Sequence, residues 1–248
     1  MKKILISLLF GMMGLHAGEI KVAVAANVSY AIDDLKKAFN VLYPETKVQV
    51  MLGSSGKLTA QIKNGAPYQL FMAANMKYPE ALYKDGIAVT RPLVYAQGSL
   101  AYLSNRQKDF KKGIALTKDA TIKKIAIANP KTAPYGKAAV EAMKNGGVLE
   151  AVEKKFVYAE SISQTVSYAV TAADIGFIAK SSLYSPKMAQ FKEGVNWTDV
   201  DPKLYTPINQ GMVVLSNGEK NSEVAAFYTF MLSAKAKEIL QKYGYLVP

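Results

Sequence analysis

Short apolar runs alternate with amphipathic helical stretches along most of the chain, and this rhythm narrows the possible folds more than any other feature of the sequence. Residues 20–26 (IKVAVAA) form a strand pattern, followed by a helical face carrying Ala31, Leu35, Ala38, Phe39 and Leu42. Strand patterns at 47–52 and 70–73 then alternate with helical patterns at 58–63 and 78–84. Such βαβα order predicts an α/β fold, a parallel sheet covered by helices. The rhythm returns at 124–128 (KIAIA), 136–143, a helix near Val166 and 174–178 (DIGFI). Between the two halves, 93–103 has an antiparallel character. A last strand at 212–216 precedes helices at 224–232 and 235–243, with Gly244 supplying a left-handed stop. Two lobes are expected, one from residues 18–96 with 212–248, the other from 97–211, each a mixed, mainly parallel sheet flanked by helices.

The 248 residues are half hydrophobic and one-fifth charged, which is enough apolar material for a large core and excludes a disordered chain. With no cysteine, disulfides, zinc ribbons, iron–sulfur clusters and thiol nucleophiles are excluded. The single histidine is His16, inside an N-terminal stretch (MKKILISLLFGMMGLHA) with two lysines, an apolar run and a small-residue end. That is the pattern of a secretory signal, with cleavage expected after Ala17. Its apolar run falls short of the roughly 20 residues that span a bilayer. Loss of Lys2 and Lys3 takes the formal charge from +12 to +10 and leaves no imidazole for acid–base work.

Ligands of parallel α/β sheets sit beyond the carboxyl ends of the strands, where helices begin. The junctions at those places are Ala25-Ala26-Asn27-Val28-Ser29, Gly53-Ser54-Ser55-Gly56-Lys57, Ala73-Ala74-Asn75, the segment 129–136 (NPKTAPYG) and Glu160-Ser161-Ile162-Ser163-Gln164. Small residues admit backbone N–H groups, Ser and Asn add donors, and helix N-termini favour anions. Each Ser or Asn taken singly is accounted for as a helix cap; their recurrence in both halves points to a site. The first-half junctions contain neither carboxylate nor arginine, which suits a fully ionised small oxyanion held by neutral dipoles. Gly53 to Lys57 is too short for a phosphate loop.

These stretches resemble the periplasmic molybdate-binding proteins of ABC transporters. The resemblance rests on residues 24–27 (VAAN), 53–75 (GSSGKLTAQIKNGAPYQLFMAAN), 128–139 (ANPKTAPYGKAA), 173–177 (ADIGF) and 236–245 (AKEILQKYGY). It implies a type II two-lobe periplasmic binding protein fold with molybdate or tungstate in the cleft, no cofactor, an ABC permease as partner, and a periplasmic monomer. By position it implies Asn27, Ser55 and Ala74 as first-lobe ligands, with Asn27 and Ser55 meeting the molybdenum through the oxyanion's oxygens. Asn27 stands where the family usually has Ser, its amide N–H₂ donating instead. In the second lobe the resemblance implies the backbone N–H of Tyr135 and that of Ile162, or Ser163 if the alignment slips by one. Where some members carry a Tyr ligand, this chain has Ala179, so Ser181, a further main-chain donor, or one ligand fewer is expected.

Other readings compete, among them a binder of another small oxyanion such as sulfate. An enzyme on the same scaffold, a lyase or hydrolase, would use Glu160 and Asp174 as acid–base groups, but neither has a partner in sequence. A nucleic-acid or membrane surface would use the positive charge, yet the lysines are scattered in doublets such as Lys36-Lys37 without a basic–aromatic stripe. No nucleic-acid partner is expected.

Overall fold

The computed structural model describes residues 18–248, so the signal-peptide expectation lies outside the described residues. The strands are β1 (Glu19–Ala25), β2 (Lys47–Gly53), β3 (Leu70–Met72), β4 (Leu93–Gly98), β5 (Leu100–Leu103), β6 (Ile125–Ala128), β7 (Phe156–Ala159), β8 (Ile175–Ala179), β9 (Trp197–Asp199) and β10 (Ile208–Val214). They form two five-stranded sheets, ordered β2-β1-β3-β10-β4 and β7-β6-β8-β5-β9. In the first, β1 runs parallel to β2 and β3, whereas β10 runs antiparallel to β3 and β4. In the second, β6 runs parallel to β7 and β8, and β5 antiparallel to β8 and β9. The chain leaves the first sheet between Gly98 and Leu100 and returns between Asp199 and Ile208.

Eight α-helices cover these sheets among the described residues: α1 (Ile32–Leu42), α2 (Ser55–Lys63), α3 (Lys77–Lys84), α4 (Pro134–Asn145), α5 (Leu149–Val152), α6 (Ile162–Thr171), α7 (Ser222–Met231) and α8 (Ala234–Lys242). Helix α1 buries Ile32, Leu35 and Phe39 at helical spacing. The Phe39 ring meets Phe227 of α7 edge-on at 5.0 Å, and burial of such a ring contributes about 1.5–3 kcal/mol. Pro134 opens α4, where its missing N–H is no loss. Asn221 caps α7 by accepting from the N–H groups of Glu223 and Val224. Gly244 stands at φ +73°, ending the last helix as its position in the sequence predicts.

Three readings of the sequence need correction. The returning strand begins at Ile208, not at residue 212, because 208–210 pair with Gly98, Gln97 and Ala96 before a bulge between Gln210 and Gly211. The 93–103 segment is two strands in different sheets, β4 and β5, since one crossing falls at Ser99. Edge strands β7 and β9 are added by the structure: they are only partly buried, whereas a continuous apolar run is the mark of a wholly buried strand such as the equally short β3 and β6.

The parallel pairings set the carboxyl ends of β1, β2 and β3 side by side, and those of β6, β7 and β8 likewise. The two groups of junctions face one another. Ala25, Ala26 and Ala74 pack into the same core cluster as Ile127, Tyr135 and Ile162 of the second layer.

Candidate functional site

Residues from both layers enclose one small cavity of about 10 Å³, partly open to solvent. Its walls are Ala25, Ala26, Asn27, Gly53, Ser54, Ser55 and Ala74 on one side, and Ala133, Pro134, Tyr135 and Ile162 on the other. That is room for about one water-sized group and far below the ~300 Å³ usual for drug-sized ligands. No Asp, Glu, Lys or Arg lines it. Helices α2, α4 and α6 begin at Ser55, Pro134 and Ile162, so three helix N-termini meet at this cavity. The N–H groups of Tyr135 and Ile162 lie in first turns, where the helix itself offers no carbonyl four residues back.

Across the cleft, the Gly56 N–H donates to the Thr132 carbonyl at 2.8 Å, and the Ser181 hydroxyl donates to the Asn27 carbonyl at 3.0 Å. Lys57 pairs with Glu160, both of them exposed. The two layers are therefore bonded shut around the cavity.

The expected ligands Asn27, Ser55, Ala74, Tyr135 and Ile162 all line this space, whereas Ser163 and Ala179 do not. Ser163 lies half-buried with its hydroxyl 3.1 Å from that of Ser161. Ala179 ends β8, paired with Leu100, and its carbonyl accepts from Ser182. Ser181 does not substitute for a missing Tyr at the cavity, because its hydroxyl is committed to Asn27. Ala74 does not present a free N–H: it donates to Ser55 Oγ at 2.9 Å. What this pair can offer the cavity is the Ser55 hydroxyl proton.

A family profile described as bacterial extracellular solute-binding protein matches residues 20–246. The chain belongs to this family. The molybdate-binding protein ModA of Azotobacter vinelandii is 37% identical over 235 residues, spanning 93% of this chain and 90% of that protein. Its counterpart in Rhodobacter capsulatus is 36% identical, spanning 93% and 89%. A solved structure of the Azotobacter vinelandii periplasmic molybdate-binding protein superposes with a TM-score of 0.84 at 30% identity, covering 92% of this chain and 99% of that one. The two mixed sheets are thus a type II periplasmic binding protein fold, and the chain is a transport protein rather than an enzyme. No helix among the described residues is long and apolar enough to cross a membrane.

The carboxylates weighed for catalysis have structural tasks in this binding protein. Asp174 accepts from the N–H groups of Lys123 and Lys124 at 2.8 and 2.9 Å. Burial acts to raise its pKa, but these backbone donors and nearby cations outweigh that, holding the carboxyl below its ordinary range. Glu160 is engaged by Lys57.

The residues that sequence reading missed lie behind Asn27. Its Nδ2 donates to Gln210 Oε1 at 2.7 Å and to Tyr245 Oη at 2.9 Å, while its Oδ1, buried, has no partner among the described residues. An unpaired buried polar group costs about 1–3 kcal/mol. Gln210 Oε1 also accepts from Tyr95 Oη, and Gln210 Nε2 donates to Tyr135 Oη. Ser54 Oγ, at the cavity wall, is likewise buried without a partner. Gln210 stands beside Asn209 in the otherwise apolar run INQGMVV, and nothing in that run singles it out; nothing marks Tyr245 either. Burial, with Tyr245 nearby, pushes the Tyr95 and Tyr135 hydroxyls well above the ordinary phenol range, and burial pushes Tyr245 up to about 12. The network is thereby neutral at physiological pH.

Proposed function

We propose that this protein captures molybdate, and tungstate with it, between its lobes and delivers the ion to the membrane permease of an ABC transporter. The observation that carries the reading is the cavity wall: helix starts, hydroxyls and amides converge there, and no charged side chain takes part. Neutral dipoles fixed in place can hold a dianion without the proton bookkeeping that a carboxylate or histidine would introduce. The relatives in Azotobacter vinelandii and Rhodobacter capsulatus, named as molybdate-binding proteins, support the same ligand.

In this reading the Ser55 hydroxyl, supported by Ala74, and the Asn27 side chain serve the ion from the first lobe. The backbone N–H groups of Tyr135 and Ile162 serve it from the second. The lobes divide at the two crossings, Ser99 and residues 200–207, and bend there as the ion enters or leaves. Sulfate has shorter bonds than molybdate, so donors spaced for the larger ion reach it poorly. Molybdate and tungstate are nearly equal in size and are both accepted. The protein works as a periplasmic monomer after export and cleavage behind Ala17.

Thermal melting with molybdate, tungstate, sulfate and phosphate tests this. Ligand at a hundredfold excess over Kd adds about 2.7 kcal/mol, so the first two ions should raise Tm by roughly 5–10 °C for a chain of this size. No shift with molybdate, or an equal shift with sulfate, overturns the reading.

A further inference from the structure

Asn27 turns the wrong polarity toward its only unpaired direction. Both amide N–H groups are engaged, by Gln210 Oε1 and Tyr245 Oη, and the buried Oδ1 is left without a donor among the described residues. An anion beside this residue needs a donor in place of that oxygen. A terminal amide exchanges its oxygen and nitrogen by a half-turn that leaves its other atoms in place. Asn27 cannot make that turn alone, because its oxygen would then face Gln210 Oε1, another acceptor.

Gln210 can turn with it. Its remaining side-chain partners are hydroxyls, Tyr95 Oη at 2.9 Å and Tyr135 Oη at 3.2 Å, and a hydroxyl donates or accepts by rotating its proton. With both amides reversed, Gln210 Nε2 donates to Asn27 Oδ1 and Tyr95, and Tyr135 donates to Gln210 Oε1. Tyr245 then donates to Asn27 Oδ1 in place of the Asn27 carbonyl, to which it is bonded at 2.9 Å. That carbonyl keeps the hydroxyl of Ser181. The Asn27 N–H₂ arrives where the unpaired oxygen stood.

We propose that Gln210 and Tyr245 are positioning residues for the oxyanion, and that the Asn27 and Gln210 amides reverse together when the ion enters. The proposal rests on the oxyanion reading above. Its supports are anchored well: Gln210 sits at the bulge in β10, and Tyr245 is tethered by the paired backbones of Gln97 and Leu246. Both belong to the first sheet and its C-terminal tail, yet through Tyr135 the network reaches a helix of the second lobe.

Isothermal titration with molybdate on the unaltered protein, Gln210→Leu, Asn27→Ala and the double variant tests the coupling. Gln210→Leu should weaken binding about tenfold with Asn27 present and change it by less than about twofold in the Asn27→Ala background, the non-additivity expected of a residue acting through its neighbour. Tyr245→Phe, which keeps the ring, should follow the same pattern. Equal losses in both backgrounds overturn the proposal. A measurement on the unaltered protein stands beside these: the side-chain amide ¹⁵N resonances of Asn27 and Gln210 should both shift when molybdate is added. Movement of Asn27 alone, or of neither, overturns the coupled turn while leaving the oxyanion reading intact. Absence of any binding heat or Tm shift with the unaltered protein overturns that reading, and this inference with it.

Discussion

Gly56 gives its backbone N–H to the Thr132 carbonyl across the cleft at 2.8 Å, and a Cβ on Gly56 would stand 2.9 Å from that same oxygen. The first turn of α2 therefore closes on the second lobe only because the residue has no side chain. Gly56→Ala should leave the melting temperature of the ligand-free protein within a few degrees and weaken molybdate binding about tenfold, combining a crowded contact with a stretched hydrogen bond. Calorimetry and small-angle scattering check this. Unchanged affinity with full compaction on ligand addition would contradict it.

Lys57 and Glu160 also join the lobes, but as an exposed pair, with side chains 53% and 62% accessible. Such pairs contribute about 0–1 kcal/mol and are screened by salt. Lys57→Ala should reduce affinity by no more than about fivefold at low ionic strength, and the difference should vanish near 1 M salt. A large loss that persists in salt would mean that the ammonium touches the ion directly.

Ser55 has two roles, accepting from the buried Ala74 N–H and offering its proton to the cavity. Ser55→Ala strands that N–H, which costs about 1–3 kcal/mol. The ligand-free protein should melt roughly 2–10 °C lower, and molybdate affinity should fall at least tenfold. Ser55→Cys, with a weaker donor, should lie between. Loss of affinity without loss of stability would show that the Ala74 contact contributes nothing.

The pH response follows from the tyrosines, since the only histidine precedes the described residues. Tyr95, Tyr135 and Tyr245 have folded-state pKa values above the ordinary 10 of the unfolded chain. A raised pKa supplies stability that is fully present below about pH 10. That stability is lost as pH rises toward the folded value, about 12 for Tyr245, at roughly 1.4 kcal/mol per pH unit for each group. Denaturant titrations should give level stability from pH 7 to 9.5 and a steep fall above 10. A decline already under way between pH 7 and 9 would mean that another group controls the curve.

Much of the site was legible because its parts are local. A strand that ends in Ala-Ala-Asn or Gly-Ser-Ser and opens a helix carries its chemistry within a few residues, and parallel pairing gathers such junctions without further instruction. What stayed hidden depends on distance along the chain. Asn27 meets Gln210 across 183 positions and Tyr245 across 218, and nothing near Asn27 announces that its amide is already engaged. The same holds for Ala74, expected as a ligand, whose N–H the fold engages with Ser55 Oγ. The edge strands β7 and β9 are no shorter than β3 and β6, but they are only partly buried, and a continuous apolar run is the mark of a wholly buried strand.

The position of β10 between β3 and β4 has a consequence for the making of the protein. The first sheet lacks an inner member until nearly the whole polypeptide has been synthesised, and Tyr245 reaches Asn27 only when three residues remain. A chain on its way out of the cytoplasm therefore carries half of its structure as an unfinished sheet with an open seam. Native assembly waits for the C-terminus, which favours a threadable chain during export and folding on the far side of the membrane.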